Sequence, residues 1–170
     1  MKQIIYLLLI SFFISAVSCA VDEECRKNKT VQMIVGFHQK THNLVTNIYT
    51  TSILTVDSLT VQGIDSMGVL VDSVLYNNKK NVSLMSLPLN KFAQESKFVV
   101  IFNDKTDTIS ILHTNTDEYL SLECGCLKIH SIDTVLLLTH NYIDSVKIVN
   151  HSVNNVNINN AEHLQIYKFK

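Results

Sequence analysis

Four cysteines carry most of the chemistry this sequence offers: Cys19, Cys25, Cys124 and Cys126. Cys124-Gly125-Cys126 sets two thiols one residue apart, and His130 follows Cys126 with three residues between. Three chemistries use such a set. A disulfide from Cys25 to Cys124 or Cys126 closes a loop of about 100 residues, which contributes on the order of 4 kcal/mol by restricting the unfolded chain. A ring within Cys124-Gly125-Cys126 is small, strained and easily reduced, hence redox-active. A metal centre takes Cys25, Cys124, Cys126 and His130 as a Cys3His set, but structural zinc sites space their close cysteines more widely. We expect a disulfide from Cys25 to one of the Cys124/Cys126 pair, with no metal and no cofactor.

Cys19 belongs to different chemistry. Met1-Lys2-Gln3 puts a positive charge ahead of a mostly apolar stretch from Ile4 to Val17. That run is shorter than the about 20 residues a spanning helix needs, so it reads as the core of a signal peptide. Ala16-Val17-Ser18-Cys19 then resembles the bacterial lipobox, after which Cys19 becomes an acylated N-terminus. Residues 1–18 are therefore expected to be a lipoprotein signal peptide, and 19–29 a tether. The implied partner is the lipid bilayer, reached through acyl chains such as palmitate on Cys19. Each buried methylene adds about 0.8 kcal/mol, so several chains hold firmly. Behind Cys19, the acids Asp22-Glu23-Glu24 resemble the surface-export signal of Bacteroidota lipoproteins. The expected location is the cell envelope, at the outer membrane, with an envelope protein as the second class of partner.

Catalytic constellations are not evident. The seven histidines (His38, His42, His113, His130, His140, His151 and His163) form no HExxH, and there is no GxSxG and no phosphate-cradling glycine loop. A nucleophilic pair of Cys124 or Cys126 with His130 is the nearest alternative. We read His130 instead as a solvent-facing strand residue. Trp is absent, and Tyr49, Tyr76, Tyr119, Tyr142 and Tyr167 are scattered as core or rim residues would be. A glycan- or small-ligand-binding module stands behind a non-enzymatic envelope module, and a thiol-redox enzyme behind both.

Composition sets the frame for these residues. In 170 residues, 46% are apolar and 17% charged, with a net charge of −1. That buries a core, excludes disorder, and gives nucleic acid no basic surface to bind. Val31, Met33, Val35 and Phe37 alternate with their neighbours, as do Ile109 and Ile111. Phe98, Val100 and Phe102 alternate with Val99 and Ile101, so this strand is apolar on both faces and central. Asn77-Asn78, Asn103-Asp104, Asn154-Asn155 and Asn159-Asn160 mark turns in a chain with four glycines. Pro88 ends a strand or lies on an edge, and Asn90 to Lys97 forms a loop or short helical turn. Short strands without helices between them predict an all-β fold, an antiparallel β-sandwich of immunoglobulin or transthyretin type, as one domain over residues 30–170.

Asp followed by Ser or Thr and then an apolar residue recurs six times, at Asp57-Ser58, Asp65-Ser66, Asp72-Ser73, Asp107-Thr108, Asp133-Thr134 and Asp144-Ser145. The structural reading is a set of Asp-capped turns before strands. The functional reading is a resemblance to the O-glycosylation acceptor of exported Bacteroidota proteins, which makes Ser58, Ser66, Ser73, Thr108, Thr134 and Ser145 candidate acceptors.

In order along the chain stand Val56-Asp57-Ser58-Leu59-Thr60-Val61, Asp72-Ser73-Val74-Leu75-Tyr76, Ser86-Leu87-Pro88-Leu89, Glu123-Cys124-Gly125-Cys126 and Ile143-Asp144-Ser145-Val146. Together with the lipobox they resemble a family of small Bacteroidota lipoproteins classed as a domain of unknown function. The resemblance covers nearly all of the mature chain and implies location rather than chemistry.

Overall fold

A computed structural model describes residues 31–122, 125–154 and 161–170. All regular elements among them are strands: β1 (Met33–Asn43), β2 (Ile48–Ile53), β3 (Val56–Ile64), β4 (Leu70–Val82), β5 (Leu84–Leu87), β6 (Glu95–Phe102), β7 (Lys105–Ser121), β8 (Gly125–Leu137), β9 (Ser145–Ile148), β10 (Ser152–Val153) and β11 (Leu164–Phe169). One sheet runs β2-β1-β11-β9 with β5 also on β1; the other runs β10-β8-β7-β6-β3-β4. The expected β-sandwich is the architecture found.

The core lies between the inward faces that period-2 alternation creates. Met33, Val35 and Phe37 of β1 face Phe98, Val100 and Phe102 of β6, all buried. Phe37 and Phe102 meet edge to face with centroids 5.5 Å apart, and Tyr142 stacks on Phe102 at 4.6 Å. β6 is internal, between β3 and β7, as its two-sided apolar pattern requires. Pro88 follows directly on the end of β5.

Three sequence expectations change. Asn77-Asn78 is not a turn but lies inside the thirteen-residue β4. Lys79 pairs with Leu59 and Tyr76 with Val61, so β4 carries an extra residue here, and Asn78 takes it up with φ of 48°. Asparagine tolerates that conformation, and a bulge uses it as well as a turn does. The Asn90–Lys97 loop is shorter than expected, because β6 begins at Glu95. The sandwich is also not wholly antiparallel: β1 and β11 pair in parallel, with Val35 opposite Leu164 and Lys40 opposite Phe169. Asn103-Asp104 does form a two-residue hairpin turn between Phe102 and Lys105. Asn155, Asn159 and Asn160 fall outside the described residues.

Strand directions sort the loops to two ends. At one end, the proximal end, lie Val31 and the start of β1, the β3–β4 turn, the segment 88–94 and the β7–β8 hairpin, whose strands run on past the start of β6. At the distal end lie the β1–β2 turn, the β6–β7 turn and Lys170.

Asp107 fixes the distal end. It is fully buried, on the inward face of β7 two residues before Ile109. Its carboxylate accepts from Thr139 Oγ1 at 3.0 Å and from the backbone N–H groups of Asn141 (2.6 Å), Tyr142 (2.8 Å) and Ile143 (2.8 Å). The segment between β8 and β9 thus folds around one carboxylate. Burial pushes the Asp107 pKa up, but the backbone donors at Asn141, Ile143 and Tyr142 and the Thr139 hydroxyl outweigh it, and the net shift is downward.

On the outer face of the first sheet, His38 Nε2 lies 3.0 and 2.9 Å from the two Glu162 oxygens. The Glu162 carboxylate occupies the space beside Gly36 that a Cβ would fill. Gly36→Ala is expected to push this flexible side chain aside and break the pair, at a cost of about 1 kcal/mol for a partly exposed ion pair. Urea denaturation measures it, and a loss above about 3 kcal/mol would mean that the backbone of β1 had moved instead.

Candidate functional site

The proximal end gathers the polar side chains that the core cannot explain. Ser96 of β6, His113 and Asn115 of β7, and His130 of β8 converge beneath the segment 90–94; Ser96, His113 and His130 are 5%, 1% and 3% exposed. The geometry fixes their roles. Asn115 Nδ2 donates to the carbonyls of Asn90 (3.0 Å) and Ala93 (2.8 Å), which leaves Oδ1 as the acceptor. Asn115 Oδ1 lies 2.9 Å from His113 Nδ1 and 2.7 Å from His130 Nδ1, so both imidazoles carry their proton on Nδ1. Nε2 of His113 then accepts from the Ser96 hydroxyl at 2.8 Å, and the Ser96 oxygen accepts from the Asn90 N–H at 2.8 Å. The rings meet edge to face at 5.3 Å.

His130 Nε2 is buried with no hydrogen-bond partner among the described residues. Burial, then electrostatic repulsion from His113 once it is protonated and from Lys91 and Lys128, pulls the His130 pKa down to about 4. Burial also lowers His113, against the upward pull of Asn115 and Asp133. Both rings are neutral at pH 7. His130 was expected to face solvent; it points inward because it shares its face of β8 with Ile132, which is fully buried.

This network is a latch on the loop. Asn90 Oδ1 also accepts from the N–H groups of Phe92 (2.9 Å) and Ala93 (3.2 Å), and His113 N–H bonds the Gln94 carbonyl at 2.9 Å. The order Ser96–His113–Asn115 is also that of a nucleophile, a base and an orienting group. Beside the latch lies an open cleft of about 240 Å³ between β4 and the 88–95 segment, walled by Ile64, Val71 and Leu89 with Ser73, Glu95 and Lys97 at its polar side. Glu95 accepts from the Ser110 hydroxyl at 2.6 Å and pairs with Lys97 at 3.1 Å, and both interactions lower its pKa.

Of the residues singled out from sequence, His130 joins this network, whereas Cys126 and the six candidate acceptors do not. Cys19, Cys25 and Cys124 fall outside the described residues. Cys126 is exposed on β8 opposite Tyr119, with no disulfide among the described residues. No group of three or more His, Cys, Asp or Glu among the described residues is placed to hold a metal. The six candidate acceptors divide by exposure: Ser66, Ser73 and Thr134 are exposed, whereas Ser58, Thr108 and Ser145 are half-buried. Ser58 donates to Asn78. If folded protein is the substrate for glycosylation, sugar is expected on the first three and not on the second three, as site-resolved mass spectrometry of the native protein reads directly.

Sequence reasoning missed Ser96, His113, Asn115 and Asp107. A signal was present for two of them. Asp107 and His113 stand on the parity of Ile109 and Ile111, whose pattern already marked that face of β7 as inward.

Fold and site together define a small all-β sandwich whose polar interior holds loops in place at both ends. The chain belongs to a family of unknown function, DUF6452, which it matches over residues 58–168. The comparison with curated proteins gives no match, nor does the comparison with solved structures.

Proposed function

We propose that the chain is an exported envelope lipoprotein of Bacteroidota type, anchored at the outer membrane through acylated Cys19, whose β-sandwich is a non-enzymatic interaction or assembly module. The observation that supports an interaction role is the first half of β4. Among the described residues β4 ends its sheet, and its outer edge offers backbone donors and acceptors to a further strand. Its distal half is guarded by Lys79, Lys80 and the asparagine bulge, but Leu70, Val71, Val74 and Leu75 are exposed in the first half, and Val71 and Leu75 line the cleft. An extended partner segment adds to such an edge, with the cleft taking its side chains. A photo-crosslinker at Leu75 is expected to capture one envelope protein from native membranes, and one at the exposed Leu136 of β8 to capture none.

The non-enzymatic reading is supported by Ser96 itself. Its oxygen already accepts from Asn90 and it is 5% exposed, so no carbonyl substrate reaches it. A fluorophosphonate probe is expected to leave Ser96 unlabelled. The cleft of about 240 Å³ favours one second reading, a small ligand with an apolar body and a polar group facing Glu95 and Lys97. Saturable thermal stabilisation lost in Glu95→Ala would establish it.

The anchor is tested by intact mass from the native membrane, with and without reduction and alkylation. A chain starting at Cys19 with added acyl mass, and one alkylatable thiol before reduction, is the expected result. An unacylated chain overturns the lipoprotein reading, and three free thiols overturn the disulfide.

A further inference from the structure

Three large apolar side chains stand almost wholly in solvent at the proximal end: Phe92 at 98%, Leu122 at 95% and Met67 at 83% exposure. They come from three separate loops. Two of these loops are held by specific hydrogen bonds rather than left loose. Phe92 rides on the 90–94 segment, which Asn115, Ser96 and Asn90 hold from beneath. Met67 rides on the β3–β4 turn, where Asp65 Oδ1 accepts from the N–H groups of Met67 (2.9 Å) and Val69 (2.8 Å), and Gly68 takes φ of 83°. Leu122 sits at the tip of the long β7–β8 hairpin, with the exposed Tyr119 below it. Holding an apolar side chain out into water has no benefit for folding. Single exposed apolar residues are ordinary, but one on each of three tips at one end is the pattern of a surface that meets something apolar.

The chain's own path says what that is. Val31, two residues before β1, lies at this same end. Eleven residues lie between Cys19 and Val31, and fully extended this connection spans at most about 40 Å. The proximal end is thus the one delivered to whatever Cys19 is anchored in. The distal tip, with Leu44 and Val45 at 86% and 94% exposure, lies a further eleven-residue strand away, about 36 Å.

We propose that the proximal end rests on the lipid bilayer, with Phe92, Met67 and Leu122 inserted at the level of the lipid headgroups. The inference rests on the reading of Cys19 as the anchor for its orientation, but the three tips are a property of the folded domain. The outer edge of β4 then faces sideways, parallel to the membrane and accessible to another membrane-anchored protein.

The chain has no tryptophan, so a single introduced one reports its own surroundings. Full-length protein is reconstituted in vesicles of phosphatidylethanolamine and phosphatidylglycerol, as Phe92→Trp, Leu122→Trp, Met67→Trp or, at the distal tip, Val45→Trp. These positions are exposed, so the fold is not at risk. The first three are expected to emit at shorter wavelength and to lose about half their emission to lipids brominated along the upper acyl chain, the depth at which interfacial apolar groups lie. Val45→Trp is expected to behave as in water. Unquenched emission at all three proximal tips in acylated protein overturns the proposal and leaves the anchor standing. Equal quenching at position 45 overturns it too, because the domain then has no preferred end. If mass analysis shows Cys19 unacylated, the same variants are added to preformed vesicles. Quenching at position 92 supports the proposal without the anchor, and its absence overturns both.

Discussion

Replacing Asp107 with alanine is expected to lower the stability of the domain by about 4 kcal/mol, the largest effect of any single polar substitution in this fold. The carboxylate serves three backbone N–H groups and one hydroxyl at 2.6–3.0 Å, in a site closed to solvent. Each orphaned buried donor costs about 1–3 kcal/mol, and bonds to a charged acceptor lie at the upper end of that range. Water entering the gap recovers part of the sum. Asp107→Asn is the finer test. An amide has one oxygen where four donors converge, and its NH2 group faces N–H groups, so about 3 kcal/mol is still expected to be lost. Urea denaturation reads both as a lower midpoint at unchanged slope.

The same carboxylate sets an acid limit. Its pKa lies below the free value of 3.8, so the unfolded chain takes up the proton first as pH falls. The stabilisation is complete above about pH 4 and is lost as pH drops through the lower, folded-state value. In Asp107→Asn that acid slope should disappear. A variant as stable as wild type at pH 7 would show that the 138–144 segment is held by its apolar contacts, with Tyr142 on Phe102 and Ile143 in the core.

Why Asp107 escaped a sequence reading shows what local pattern can and cannot carry. The tripeptide Asp107-Thr108-Ile109 looks like the five other copies, of which Asp65 does cap a turn between its own neighbours. Asp107 instead reaches residues more than thirty positions away, and no local pattern encodes that distance. The strands themselves were legible wherever one face is apolar: β6 follows period-2 alternation residue by residue, and the start of β1 and the first half of β7 follow it except at Gly36 and Ser110, which are buried as well. Their partners were not. β11 joins β1 in parallel, and Ile34 N–H bonds His163 Nδ1 across 129 positions, whereas short strands without intervening helices suggest only antiparallel neighbours. His130 was misread for a related reason. Ile129 beside it invites the inward face, and only the burial of Ile132 on the parity of His130 shows which of the two turns in. The four-residue latch depends on β6, β7 and β8 lying side by side, which alternation does not reveal.

The latch makes a second strong prediction, in a pH range separate from that of Asp107. A histidine buried neutral is a liability as pH falls, because the unfolded chain can take up a proton that the folded chain refuses. His130 titrates near 4 in the folded protein against 6.5 when free. Between those values the unfolded state binds more protons, so stability should decline as pH drops from about 6.5 to 4 and level off below, with a total loss on the order of 3 kcal/mol. His113, shifted the same way, steepens the decline; Lys91 and Lys128 face His130 and reinforce it, and Asp133 opposes it at His113. His130→Phe removes the titrating group, keeps a ring of similar size and leaves Asn115 Oδ1 bonded to His113. It is expected to be within about 1 kcal/mol of wild type at pH 7.5, because it gives up one hydrogen bond and relieves the unpartnered Nε2. At pH 4.5 it should be the more stable protein. Urea midpoints at the two pH values decide the matter: a crossing of the two curves confirms the buried neutral imidazole, and parallel curves refute it. Asn115→Ala, by contrast, strips the acceptor from both rings and the donors from Asn90 and Ala93, and should destabilise at every pH. Amide hydrogen exchange in that variant should rise first at Phe92 and Ala93, whose N–H groups depend on Asn90. Loss of order there without global unfolding would separate the two tasks of the network, holding the sandwich closed and holding Phe92 out.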